Sequence, residues 1–344
     1  MTSFACWTWF LPIWLALLTP ASAAGETVSP TAMEKVDYHG WHNSWRLANA
    51  GIEVTVVTDI GPRILDLRIP GGPNLLQHRE GIGGSEEATY QFRGGWRLWV
   101  APERKETTYD LDNSACDVEP IGSSTLRITG PPQINAGIRK IVEIGISDHR
   151  ARVRIVSRIR NISTQPVTYA AWSLPVLAPG GRAFLPLDVG PLDAFDATRQ
   201  LILWSYARFS DPRYVWGDRL IQIDHSRIPV AGSPSGGRQA DESKIGVDSR
   251  QGWSAYLLDR TLLLKRFPFQ AGEYVDGGST MEVYSNREFL ELEHLGPLTT
   301  IPPGGEISLP EEWWLFSPVA IATGEAAALA DLGPYLDRSA PGQD

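Results

Sequence analysis

Cysteine is nearly absent from this chain. Cys6 and Cys116 are the only two in 344 residues, and Cys6 falls in a leader-like N-terminus, which leaves Cys116 without a partner. A disulfide framework is therefore excluded for the mature protein, and a hydrophobic core must hold the fold. Charge is missing from the first 24 residues, which contain no Asp, Glu, Lys or Arg. They carry the apolar run FLPIWLALL and then TPASAA. A short hydrophobic stretch followed by small residues, here Ala21 and Ala23, is the pattern of a secretory signal peptide. Residues 1–24 are expected to be removed by cleavage near Ala23 or Ala24, and the mature protein to be periplasmic or secreted. No later stretch approaches the ~20 apolar residues of a bilayer span, so no membrane span is expected after cleavage.

A basic excess is missing as well. The formal charge is −9, which argues against a nucleic-acid partner. There is no P-loop, no dinucleotide-binding glycine motif after a strand, no nucleophile elbow and no paired-histidine zinc signature. The six histidines are scattered, with none at the i+2, i+4 or i+5 spacing of a metal pair. DLDNSACD, residues 110–117, offers Asp110, Asp112 and Asn113 as oxygen ligands, but lacks the glycine and terminal glutamate of a helix-loop-helix calcium site. No cofactor and no metal are expected. Helical periodicity is nearly absent: GEAAALADLGPYL, residues 324–336, is the one helical stretch, with Gly333-Pro334 predicted to end it.

What the chain has is strand signal. GIEVTVVTDIGPRILDLRI, residues 51–69, predicts two strands joined by Asp-Ile-Gly-Pro, with Ile52, Val54 and Val56 alternating with Glu53 and Thr55. Further on, Arg150, Arg152, Arg154, Arg158 and Arg160 share one face of a strand, and Ala151, Val153, Ile155 and Ile159 share the other. The arginine face reads as a solvated sheet face, with contact to a polyanion or acidic glycan as the alternative. More strands are predicted at 124–129, 201–206, 220–224, 253–258, 261–267, 281–285, 288–294 and 311–316. Residues 231–251 read as a polar loop of the kind that overhangs sites. The predicted architecture is all-β: one large antiparallel domain over residues 36–318, after a loose segment at 25–35 and before a C-terminal helix and tail at 319–344.

Two segments concentrate chemistry. RGGWRLWVAPE, residues 93–103, places Arg97 and Trp99 on one face of a strand and Trp96 on the other. An indole beside a guanidinium suits a sugar ring, with apolar C–H surface on the first and hydroxyls on the second; a core tryptophan with a salt-bridged arginine is the equal alternative. In NREFLELEHLGPL, Phe289, Glu291 and Glu293 share one face, and Leu290, Leu292 and His294 share the other. Two carboxylates beside an aromatic need partners if buried, and in a cleft one of them is a natural general base.

The order YHGWHNSWRLANAGIEVTVVTDIGPRILDL, RGGWRLWVAPE, AAWSLPVLAPGG and FLELEHLGPLTTIPPGGEISLPEEWWLF resembles an uncharacterised bacterial domain family of the galactose mutarotase-like (aldose 1-epimerase-like) superfamily. The resemblance runs over roughly residues 36–318. It implies a supersandwich of large antiparallel sheets with a sugar-binding cleft on a concave face. In the epimerases a glutamate is the general base at the anomeric hydroxyl, a histidine is the general acid at the ring oxygen, and an arginine helps hold the sugar. Glu293 matches the late glutamate, with Glu291 as the fallback, and Arg63 and Arg97 are the arginine candidates. Where the epimerases carry their mid-chain histidine, this chain has Trp172 and Ser173. Where related sequences often carry another histidine, it has Trp96. His78, in NLLQHREG, is the remaining candidate near the cleft. Three functions stay open: a sugar epimerase or other carbohydrate-active enzyme, a non-catalytic carbohydrate-binding module, and an envelope structural protein that reuses the fold.

Overall fold

The computed structural model describes residues 1–2, 31–79, 89–191, 193, 195–229 and 241–342. The expected leader lies almost wholly outside the described residues. Two antiparallel sheets, of eleven and ten described strands, carry the architecture. The larger runs in the spatial order Ala32–Tyr38, Trp41–Ala48, Glu53–Val57, Arg63–Arg68, Trp96–Ala101, Val167–Leu177, Leu290–Leu295, Met281–Ser285, Ser243–Asp248 and Gln200–Leu203, with Thr299–Ile301 paired beside Val167–Leu177. The smaller is centred on Trp253–Leu258, Thr261–Arg266, Glu306–Phe316, Arg152–Asn161 and Ile138–Ile146. The predicted all-β class is therefore observed.

The side-chain alternation explains how the sheets meet. Val153, Ile155 and Ile159 enter the core that also takes Trp313 from the neighbouring strand and Trp96, Leu98 and Leu292 from the facing sheet. Arg158 and Arg160, on the other face of their strand, pair with Glu143 and Glu306. Two of the three central strands of the larger sheet differ from this half-wet pattern. Every residue of Trp96–Ala101 and of Leu290–Leu295 is buried, because the second sheet covers one face and loops cover the other.

Several polar groups between the sheets are consequently paired. Glu311 accepts hydrogen bonds from Ser173 Oγ at 2.7 Å and Trp313 Nε1 at 2.7 Å, and lies 3.7 Å from Lys265 Nζ. Trp96 Nε1 donates to Ser173 Oγ at 2.8 Å, and Lys265 donates to the Leu292 carbonyl at 2.9 Å. Burial pulls the Lys265 ammonium down to about 8 against the attraction of Glu311. Burial, helped by Lys265, also holds His294 well below the usual imidazole range, so it is neutral.

Three local expectations change. The first strand begins at Ala32, inside the stretch expected to be loose, because it pairs with Trp41–Ala48 across the turn at His39 and Gly40. Residues 243–248, expected within a loop, form a strand: Ile245 and Val247 alternate into the core. The helix runs Glu325–Arg338, straight through Gly333-Pro334. Proline removes one helical hydrogen bond, but Leu332, Tyr335 and Leu336 on both sides of it pack onto the sheet.

Removing one partner of a buried charge pair leaves the other uncompensated, at a typical cost of about 3–5 kcal/mol. Glu311→Ala is expected to lower the unfolding free energy by that order in urea titrations. A loss below about 1 kcal/mol would mean that Lys265 finds water or another acceptor.

Candidate functional site

The outer face of the larger sheet gathers most of the residues singled out above. The Gly94–Gly95 pair sets the entry into their strand. Both glycines have positive φ, +74° and +66°, and a Cβ on either would lie 2.3 Å from a neighbouring carbonyl oxygen, of Gln77 or Ile64. Only glycine tolerates both conditions. The next residue, Trp96, points between the sheets. Arg97 and Trp99 point outward together, with the guanidinium 4.0 Å from the centre of the Trp99 ring. Register then builds a row: Trp99 opposes Trp172 and Trp172 opposes Leu295, while Glu293 opposes Glu282 and Glu291 opposes Tyr284.

The charges on this face are buried and mutually bound. Arg97 Nη2 donates to Glu291 Oε1 at 3.0 Å. Trp172 Nε1 donates to Glu293 Oε2 at 2.8 Å, and Lys244 donates to the same oxygen at 3.1 Å. Lys244 also lies 2.6 Å from Glu282 Oε2, and its ammonium sits between the Trp172 and Trp204 rings, 4.8 and 4.7 Å from their centres. Glu282 and Glu293 are fully buried, and Arg97, Lys244 and Glu291 are nearly so. Tyr90, Tyr109 and Tyr274 pack over Trp99 and Trp172, and Phe92 stacks on Phe289 at 4.9 Å. This face is thus covered, not an open cleft.

Three carboxylates share two cations here, and the imbalance sets their protonation. Burial pushes Glu282 well above the ordinary carboxyl range; the pull of Lys244 opposes this and the charge on Glu293 adds to it. Burial likewise raises Glu291, against the pull of Arg97. Lys244, which burial alone would lower, is held above its ordinary value by Glu293 and Glu282. Glu282, whose carboxyl burial makes harder to ionise, therefore stands directly opposite Glu293. Several polar atoms on this wall have no hydrogen-bond partner: Arg97 Nε and Nη1, Glu293 Oε1, Glu282 Oε1 and the Tyr90 hydroxyl.

Arg63 and His78 stand apart. Arg63 opposes Arg97 in register, but its guanidinium binds Asp112 Oδ1 at 3.1 Å, and Lys140 approaches the other Asp112 oxygen at 3.5 Å. Asp110 accepts from Asn135 and Ala136, so both carboxylates of the candidate calcium loop serve the fold. His78 groups with Tyr38, its Nε2 lying 3.1 Å from the hydroxyl, and with the His39 ring at 5.2 Å. His294 follows Glu293 in sequence but faces the core, where its ring stacks on Phe267 at 4.3 Å.

No protein-family model matches the sequence, and no curated protein matches it. Solved structures do. A putative aldose 1-epimerase from Klebsiella pneumoniae superposes with a TM-score of 0.57 at 11% identity, over 90% of this chain and 87% of that one. Galactose mutarotase-like proteins from Clostridium acetobutylicum and Lactobacillus casei give TM-scores of 0.52 and 0.51 at 9% identity. They cover 83% and 79% of this chain and 99% of each of their own. The chain has the galactose mutarotase-like fold. In this mutarotase-like chain, Glu291, Glu293, Arg97, Trp99 and Trp172 come together as neighbours. Lys244 and Glu282 complete the group and were not singled out in the sequence. Their signal was the alternation of Ile245 with Val247 and of Met281 with Val283, which turns Lys244 and Glu282 to the opposite face.

Asp112 supplies a pH test. Burial alone would raise its carboxyl, but Arg63 and Lys140 outweigh burial and bring it down to about 2. The unfolded carboxyl titrates near ~3.9, so the stability Asp112 contributes is complete above that value and is lost as pH falls towards 2. Asp112→Asn is expected to cost about 3–5 kcal/mol at neutral pH and to flatten the acid limb of the stability profile between pH ~4 and ~2. Equal acid limbs in wild type and variant would count against this ion pair.

Proposed function

We propose that the protein binds a sugar against the outer face of the larger sheet and interconverts its anomers, with Glu293 as general base. The observation that carries this reading is the buried set of three carboxylates and two cations, in which Glu293 keeps one oxygen without a hydrogen-bond partner opposite Glu282, whose carboxyl burial raises. The likeness of the fold to a putative aldose 1-epimerase adds the class of reaction. Glu293 Oε1 takes the proton of the anomeric hydroxyl. The electron pair left on that oxygen forms the aldehyde carbonyl, the C1–ring-oxygen bond breaks, and Glu282 gives its proton to the ring oxygen. Ring closure on the other face of the carbonyl returns both protons. Glu282 thereby takes the role for which the sequence offers no histidine. Arg97 holds ring hydroxyls through Nε and Nη1, and Trp99 and Trp172 supply apolar walls, as sugar-facing aromatics do. The leader-like N-terminus supports action in the periplasm or outside the cell.

A second reading, a module that binds sugar without catalysis, is favoured by Lys244. Its ammonium occupies the other oxygen of Glu293 and weakens that carboxylate as a base. One experiment separates the two. NMR exchange spectroscopy on common hexoses and pentoses is expected to show anomer exchange above the buffer rate, with Glu293→Gln slower by about 10²–10⁴-fold, the usual contribution of a general base. The wild-type rate is expected to fall on the alkaline side as Glu282 loses its proton. Exchange at the blank rate, together with quenching of tryptophan fluorescence by the same sugars, would leave only the binding module. Neither response to any sugar would favour the envelope structural role.

A further inference from the structure

The arginine face seen in the sequence forms a trough on the outer surface of the smaller sheet, opposite the Glu293 wall. Two adjoining grooves of about 350 and 550 Å³ share Arg152, Arg154 and Pro310. Arg158 lines the first, and Arg250 and Arg266 line the second. Register explains the alignment: Arg154 opposes Glu312, and Glu312 opposes Arg266, so the guanidinia step across adjacent strands. With strands ~4.8 Å apart, Arg154 and Arg266 stand about 10 Å apart at their backbones.

The acids of the trough leave positive charge over. Glu143 is bound by Arg127 and Arg158. Glu312 lies 4.0 Å from Arg152, and the Glu311 carboxylate points into the core. Arg266 is held by the C-terminal tail through Ser339 Oγ at 3.0 Å. Arg154 is exposed, and among the described residues its side chain has neither ion pair nor hydrogen bond. The Arg250 guanidinium rests on Phe269, 5.4 Å from the ring centre, and pairs with no carboxylate among the described residues. A protein of net charge −9 keeps two guanidinia, those of Arg154 and Arg250, without an ion pair among the described residues in one groove.

We propose that this trough binds an extended acidic polysaccharide, with uronate carboxylates seated on Arg154 and Arg250. Guanidinium forks match carboxylates in two-point hydrogen bonds, which an ammonium cannot reproduce. A row of charges along a groove suits a polymer that repeats its charge, not a single anion. Nucleic acid fits less well, because it gains much of its affinity by stacking bases on open aromatic faces. Here Phe267 is stacked on His294, and Phe269 lies between Tyr274, with ring centres 6.0 Å apart, and Arg250.

The test is calorimetric titration of the mature chain with a galacturonic acid hexamer, against a neutral glucose hexamer, a single-stranded oligonucleotide and inorganic polyphosphate. The hexauronate is expected to bind with an affinity that falls as salt rises, and the neutral hexamer not to bind. Arg154→Ala and Arg250→Ala are each expected to weaken binding about tenfold or more, as loss of a charged hydrogen bond does, and Arg154→Glu more still. Unchanged thermal midpoints show that these surface variants remain folded. The proposal is overturned if the hexauronate does not bind, if Arg154→Ala binds it as tightly as wild type, or if the oligonucleotide or polyphosphate binds as well as the uronate. The readout is binding at a face remote from Glu293, so it stands or falls apart from anomer exchange.

Discussion

The three central strands, Trp96–Ala101, Val167–Leu177 and Leu290–Leu295, lie between a second sheet and a layer of loops, and every charge near them must be compensated inside the protein. Water does not reach Glu293, Glu311, Lys265 or Arg63. An isolated ion in such a place costs several kcal/mol, and so each acquires partners of opposite sign or hydrogen-bond donors. Much of the polar architecture follows from that one constraint. Between the sheets, Glu311 is ringed by a lysine, a serine and an indole. At Asp112 one carboxylate serves Arg63 and Lys140. On the outer wall, Arg97 takes Glu291, and Lys244 takes both Glu282 and Glu293.

The outer wall differs from the other two in its balance of charge. Between the sheets, both oxygens of Glu311 are engaged. On the outer wall one more carboxylate is present than the cations can neutralise, and buried atoms of Arg97, Glu282, Glu293 and Tyr90 stay without partners. A closed network specifies packing. One with a surplus carboxylate, in which burial makes Glu282 harder to ionise, has the elements of acid–base chemistry. The tyrosine layer above it excludes solvent and strengthens each electrostatic contact.

Much of the fold was legible because β structure writes itself in alternation. Val153, Ile155 and Ile159 against their arginines, and Leu290 and Leu292 against Glu291 and Glu293, assign faces with a period of two. The separation of Trp96 from Trp99 is legible in the same way. Where the reading missed, the reason is local. Ser243–Asp248 is short and follows a polar run, so its two core residues were outweighed by their neighbours. Pro334 is a helix breaker in isolation, yet its helix continues because apolar residues on both sides of it dock on the sheet. Ala32 reads as part of a loose end until its partner strand supplies the hydrogen bonds.

By itself, the sequence determined which face of each strand a residue takes, because side-chain direction is a property of the backbone repeat. It therefore assigned Arg97 with Trp99, and Glu291 with Glu293. Only the tertiary structure decided what stands opposite. Cross-strand neighbours come from register between segments far apart in the chain, and no local pattern encodes that Lys244 meets Glu293 or that Asp112 captures Arg63. Burial was decided there too. A face that alternates cleanly can be wet or covered, and whether Glu293 is a surface charge or a buried carboxylate depends on the loops that close over it.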